Sequence, residues 1–312
     1  MAEQFLSERF TPEDGSILGD LHKYWIYLNG FWRRGDDARI SVFDRGLLYG
    51  DGLFEAIMAY DGKVYWLDRH LDRLYEGAHT TRIELPLSKD EFKKVVVETV
   101  KKNNLRTCQI RIVVTRGLVY PMPYLRPRHS KRPTVIVYAY PLPPYLGSEP
   151  IKMITASTRK TPAQSIDPHL KSLNYLNNIL ARLESERAGA DEALMVGIDG
   201  YVCEGTSCNI FLVKGNMLYT PQVTGCLPGV TRATVIEIAS ELGFNLVEKN
   251  ITLHEVYTAD EAFVTGSGVE IIVVVDVDGR KIGTGAVGPA TNKIQEAYRR
   301  WLATKHLTPV YD

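Results

Sequence analysis

A proline-rich stretch ending in glycine, PLPPYLG from Pro141 to Gly147, interrupts this chain near its middle. Proline fixes φ and lacks the N–H that a helix or an inner strand requires, so regular structure stops there and an exposed linker is expected. We therefore expect a small N-terminal domain over residues 1–140, a linker over 141–150 and a larger domain over 151–312. With 312 residues there is enough chain for two separate cores.

Turn signals define the elements on either side. YWIYLNGFWRRG predicts a hairpin around Asn29-Gly30, and LFEAIMAYDGKVYWL predicts two strands joined at Asp61-Gly62. Leu67, Leu71, Leu74, Tyr75 and Ala78 recur at helical spacing, and a second helix opens with the capping box Ser88-Lys89-Asp90-Glu91. In the second half, Leu176, Ile179, Leu180 and Leu183 predict the apolar stripe of one helix. Val235, Ile238, Ala239 and Leu242, stopped by Gly243, predict another. Strands surround both, with no internal repeat, so the fold class is α+β in two domains.

Charge and cysteine content narrow the function. Lys and Arg together number 37, as do Asp and Glu, for a net charge of zero, which argues against nucleic-acid or membrane-surface partners. The longest apolar run, Ile271–Val275, is far too short to span a bilayer, and MAEQFLSERF is too polar for a secretory signal. Cys108, Cys203, Cys208 and Cys226 form no paired framework or metal-ligand spacing, so we expect a reduced, cytoplasmic protein without a metal.

Three segments carry chemistry. Lys171, in KSLNYLNN, lies between the polar stretch KTPAQSIDPHL and the start of an amphipathic helix. Most lysines are solvated, but one emerging into a cleft can act as nucleophile and proton carrier. Glu204 follows Asp199-Gly200 in the second strand of a predicted hairpin, where it is either an exposed turn acid or a buried anion for a cationic partner. LPGVTR, through Arg232, starts a helix. Free N–H groups of Val230 and Thr231 there form an anion site, unless the turn is only a helix start. Thr265-Gly266-Ser267-Gly268 is a second candidate cradle. An amine for a Schiff base, a carboxylate for a pyridinium nitrogen and a phosphate cradle are the three needs of pyridoxal 5'-phosphate.

With these motifs, the sequence from about Tyr27 to Trp301 resembles the class IV, fold-type IV pyridoxal-phosphate enzymes. These include branched-chain amino acid, D-amino acid and (R)-selective amine transaminases, together with aminodeoxychorismate lyases. The resemblance implies a small α/β domain and a larger domain with a barrel-like sheet. It also implies that Lys171 is the Schiff-base lysine, that Glu204 pairs with the ring nitrogen, and that Arg73, Val230, Thr231, Ser267 and Gly268 hold the phosphate. Tyr175 matches the tyrosine at the cofactor's phenolic oxygen, one residue closer to its lysine than in the KxGGNY form. A homodimer with shared active sites is implied too.

Substrate choice rests on the first half. Alternation in QIRIVVTRG puts Ile110, Ile112 and Val114 on one strand face and Gln109, Arg111 and Val113 on the other. By resemblance to branched-chain transaminases, Arg111 recognises the acidic side chain of glutamate while Tyr49 and Phe54 line the pocket; otherwise Arg111 is a solvated strand residue. Arg116, in TRG, matches an α-carboxylate ligand of D-amino acid transaminases, but shares a face with Arg111 only if the strand ends or bends there. Ala56, Met58 and Gln109 stand where branched-chain enzymes typically have glycine, a basic residue and tyrosine, and the loop Gly117–Pro133 is long, aromatic and basic. The expected activity is amino transfer between an amino donor (a branched-chain L-amino acid or glutamate) and a 2-oxo acid such as 2-oxoglutarate. The alternatives are a D-amino acid or (R)-amine transaminase and, further off, a pyruvate-eliminating lyase.

Overall fold

A computed structural model describes residues 23–118, 132–141 and 149–311. The opening decapeptide, most of the Pro-rich linker and most of the Gly117–Pro133 loop lie outside the described residues. The contacts divide the chain into two units. One takes the described residues up to Val64, those from Ile83 to Pro141, and the segment from Pro309 onwards; the other takes Tyr65–Arg82 and the described residues from Glu149 to Thr308.

In the first unit, β1 (Trp25–Leu28) and β2 (Phe31–Arg34) form the expected hairpin. Asn29 and Gly30 both have positive φ, 52° and 91°, as the tight turn between right-twisted strands demands. A short helix α1 (Arg45–Tyr49) follows, then β3 (Gly52–Tyr60) and β4 (Lys63–Tyr65), joined at Asp61-Gly62. The next helix, α2 (Leu67–Thr81), clusters with the second unit. Helix α3 (Lys89–Lys102) opens with the predicted capping box: Ser88 Oγ accepts from Glu91 N, and Ser88 N donates to Glu91 Oε2 at 2.7 Å. Strands β5 (Cys108–Thr115) and β6 (Thr134–Tyr140) complete a seven-stranded sheet. Its order is a strand over Leu307–Pro309, then β4, β3, β5, β6, β1 and β2. Ile110, Ile112 and Val114 are fully buried on the face that meets α3, as alternation requires.

The second unit holds β7 (Ile151–Thr155), α4 (Leu176–Arg187), β8 (Glu192–Val196), β9 (Val202–Gly205), β10 (Asn209–Lys214) and β11 (Met217–Pro221). After these come α5 (Val230–Glu241), β12 (Asn245–Lys249), α6 (Leu253–Tyr257), β13 (Glu261–Gly266), β14 (Glu270–Val277), β15 (Arg280–Lys281) and α7 (Pro289–Thr304). The chain then reaches β16 (Leu307–Pro309), the strand that joins the first sheet. The second sheet runs β12-β11-β10-β13-β14-β7-β8-β9, with β15 on β14. Because β9 also meets β10, this sheet curls on itself, around a core that includes Met153, Leu194, Ile210, Val264 and Val274. The α+β expectation therefore stands.

Helix α4 forms where predicted, but its apolar stripe does not face the unit's interior: Leu176, Ile179, Leu180 and Leu183 are 68, 51, 46 and 53% exposed. The residues it buries are Asn178, Ala181 and Ser185, small or amide-bearing groups that let the helix sit close to β8. Periodicity identifies a helix but not which of its faces meets the core of its own chain.

Candidate active site

Helix α4 fixes the start of the segment that precedes it. Glu184 holds the turn at 157–158: its Oε2 accepts from Ser157 N and Oγ at 2.6 and 2.8 Å, and its Oε1 from Thr158 N and Oγ1 at 2.9 and 2.5 Å. Burial pushes its carboxyl pKa up, but those four donors outweigh it and bring the value down to about 2. Asn177 then donates to the Arg159 carbonyl at 2.8 Å and accepts from Thr161 N at 3.2 Å. Between them, Lys160 N donates to the Val196 carbonyl at 3.0 Å, extending the alignment beside β8. Just before α4, Lys171 Nζ lies 3.5 Å from the Tyr175 hydroxyl.

Glu204, on β9, is buried rather than an exposed turn acid. Its Oε1 forms a 2.6 Å ion pair with Lys160, whose side chain is only 13% exposed. Oε2 accepts from Leu227 N at 3.1 Å and from Asn209 Nδ2 at 3.2 Å. The same Asn209 nitrogen donates to the Leu227 carbonyl at 2.9 Å. Burial lowers the Lys160 pKa, but the charge and hydrogen bond of Glu204 outweigh it and hold the ammonium above its ordinary value; the nearby Tyr175 phenol adds to the effect. The Glu204 carboxylate therefore favours the ammonium form of Lys160.

Leu227 leads directly into the helix start. Gly229 occupies the N-cap position of α5 with no side-chain cap, and Val230 and Thr231, both buried, form the first turn. Arg73, from α2, donates to the Pro228 carbonyl at 3.0 Å, bringing a guanidinium to the turn. On the neighbouring strand, Thr265 pairs with Asn209 and leads into Gly266-Ser267-Gly268 between β13 and β14. Ser267 Oγ lies 3.2 Å from Nε2 of buried His70. Thr265 Oγ1 is buried with no hydrogen-bond partner among the described residues.

This donor set fits a phosphorylated pyridine aldehyde. It offers an amine beside a phenol, a buried carboxylate held by a cation and two neutral donors, and an uncapped helix N-terminus with an arginine at its turn. Residues 52–277 match the sequence profile of the family described as amino-transferase class IV. The chain belongs to the class IV aminotransferases. A branched-chain-amino-acid aminotransferase of Pseudomonas aeruginosa is 42% identical, covering 86% of this chain and 88% of its own. The branched-chain amino acid aminotransferase structure from Escherichia coli superposes with a TM-score of 0.89 at 32% identity, over 92% of this chain and 99% of that one. A branched-chain amino acid aminotransferase from Thermobaculum terrenum, solved in its PLP form, gives a TM-score of 0.83 at 26% identity, over 92% of this chain and 98% of that one.

In this aminotransferase the second unit thus contains Arg73, Lys171, Tyr175, Glu204, Val230, Thr231, Ser267 and Gly268, and the first contains Tyr49, Phe54, Arg111 and Arg116. The Arg111 guanidinium stacks 3.9 Å above the Phe54 ring, on the sheet face opposite Ile110 and Ile112. Strand β5 ends at Thr115, so alternation no longer governs Arg116. That side chain is buried and bonded through Nε to Asp51 Oδ2 at 2.8 Å, an oxygen it shares with Arg45 at 2.7 Å. Tyr49 packs beneath Arg45, 5.1 Å from its guanidinium carbon.

Sequence reasoning missed Lys160, Asn209 and His70. Lys160 sits in a polar stretch that reads as solvated loop, and its carboxylate partner is distant in sequence. A signal did exist for His70, three residues before Arg73 on the same helix face.

Proposed function

We propose that this aminotransferase moves the amino group between a branched-chain L-amino acid and a 2-oxo acid such as 2-oxoglutarate, using pyridoxal 5'-phosphate. The observation that carries the reading is the contrast between two lysines: Lys160 locked to Glu204, and Lys171 beside Tyr175. The first is engaged by a carboxylate and the second stands beside a phenol, which supports Lys171 as the amine for covalent attachment. When bound, the cofactor supplies an electron sink for the pair left by the substrate's Cα proton.

Lys171 Nζ would hold the cofactor covalently and, as a free amine, would take the substrate's Cα proton. Tyr175 would donate to the cofactor's phenolic oxygen, Glu204 would pair with its ring nitrogen, and Arg73, Val230, Thr231, Ser267 and Gly268 would hold its phosphate. Among the residues of the first unit, Arg111 suits the distal carboxylate of glutamate, and Tyr49 and Phe54 suit an aliphatic side chain. The exposed leucine and isoleucine stripe of α4 supports a homodimer, since apolar groups clustered on one surface mark an interaction face. Four buried free thiols are in keeping with a cytoplasmic location.

A donor panel tests the reading. L-leucine, D-alanine and (R)-1-phenylethylamine are each offered with 2-oxoglutarate, and L-glutamate with 4-methyl-2-oxopentanoate. Turnover of L-leucine and L-glutamate is expected; activity confined to D-alanine or the (R)-amine overturns the substrate assignment.

A further inference from the structure

We infer that Lys160 is a positioning residue that keeps the proton shared between Glu204 and the cofactor on the ring nitrogen rather than on the carboxylate. This rests on the reading that Glu204 faces that nitrogen.

A pyridine nitrogen and a carboxylate in contact share one proton, and in a dry site they can exist either as an ion pair or as a neutral pair. The neutral pair is the usual winner away from water, because it avoids two buried charges. The ion pair is the useful state, since only a protonated ring withdraws electrons well. Lys160 reverses the preference. Its Nζ is 2.6 Å from Glu204 Oε1, and both side chains are nearly buried. Moving the proton onto Glu204 would remove the counter-charge of a buried ammonium that is held protonated. Leu227 N and Asn209 Nδ2 act in the same sense on Oε2, but as neutral donors.

The placement is built rather than incidental. Lys160 hangs from a backbone tied to Val196, flanked by residues that Asn177 binds on both sides and by the turn that Glu184 clamps. All the clamping side chains come from α4, the helix that starts immediately after Lys171 and Tyr175. A lone ion pair for stability would not account for this: a buried pair is rarely worth more than an apolar pair of the same volume.

The test uses holoenzyme reconstituted with ring-15N pyridoxal phosphate, read by the 15N shift of the ring nitrogen and by cofactor content, in the parent, Lys160→Met, Lys160→Arg and Glu204→Gln. The parent and Lys160→Arg should show a protonated-ring shift. In Lys160→Met the shift should move towards that of free pyridine, with kcat lower by about tenfold or more and KM little changed. An unchanged 15N shift in cofactor-loaded Lys160→Met overturns the inference. Should that variant fail to fold, Lys160→Gln, which keeps a donor but not the charge, must show the same movement, and an unchanged shift there overturns it equally. A protonated-ring shift that survives in Glu204→Gln sinks the Glu204 reading instead, so the two failures are distinguishable.

Discussion

The side-chain oxygen of Asn209 lies 2.1 Å from the point that a Cβ at Gly229 would occupy. No real Cβ tolerates that distance, so the absence of a side chain at Gly229 is what lets Asn209 stand between Glu204 and the helix start. The φ of Gly229 is −65°, which any residue can adopt, so the requirement is steric and not conformational. Gly229→Ala should therefore push Asn209 off both Glu204 and the Leu227 carbonyl. We expect a loss of about 1–3 kcal/mol in stability and weaker cofactor retention. Gly225→Ala is the control, since its nearest neighbour, Cys203 Sγ at 3.4 Å, is at ordinary contact distance. Thermal melts with and without pyridoxal phosphate check both; equal behaviour of the two variants would contradict the steric argument.

Glu204→Gln should retain bound cofactor, because the proposed phosphate ligands are untouched, yet slow amino transfer. Losing a charge-assisted hydrogen bond of about 1.5–3 kcal/mol in the transition state corresponds to roughly ten- to a hundredfold in kcat. Cofactor absorbance together with single-turnover rates measures the two effects separately. Unaltered turnover would mean that the carboxylate faces elsewhere.

The two arginines of the first unit should separate by substrate. Arg111→Ala is expected to damage L-glutamate and 2-oxoglutarate about tenfold or more beyond its effect on L-leucine, because only the former carry a distal carboxylate. Arg116→Ala removes one of two cations from Asp51, so its expected signature is a lowered Tm with similar losses on every donor. Selective loss of amino acids with (R)-amines spared in Arg116→Ala would instead make it a carboxylate ligand.

Glu184 gives a pH signature. Its folded pKa, about 2, lies below the ordinary carboxylate value of 4.5, so its contribution is complete above about pH 4.5 and is lost as pH falls towards 2. Glu184→Ala should cost about 2 kcal/mol at pH 7, and the gap from the parent should close on acidification. Denaturant melts at pH 7 and pH 3 provide the comparison; a gap that widens in acid would have the wrong sign.

Replacing Leu180 by Asp on the exposed face of α4 should leave the monomer's fold intact, since that side chain is 46% exposed, and shift the protein towards monomer in sedimentation. A variant as dimeric as the parent would remove the stripe from the interface.

Much of this architecture was legible because its signals are local. Asn29-Gly30, Asp61-Gly62 and the Ser88 capping box each dictate geometry within four residues, and each forms as read. The direction of the α4 stripe was not legible, because the hydrophobic content of a helix face is the same whether it meets its own core or another surface. Lys171 and Glu204 stood out by context. Lys160 did not, since the burial that changes its chemistry arises only when β8 and β9 bring Glu204 beside it. Arg116 turned on where β5 stops, a boundary that alternation alone cannot locate.

The strand β16 carries a consequence for synthesis. Its pairing with β4 closes one edge of the N-terminal sheet, and Trp66 N to the His306 carbonyl and Val310 N to the Gly62 carbonyl, both 2.9 Å, bracket the join. Residues made late thus cover a strand made early. Until the chain past Val310 has left the ribosome, β4 presents an open edge, and a nascent chain has no means of its own to finish that sheet.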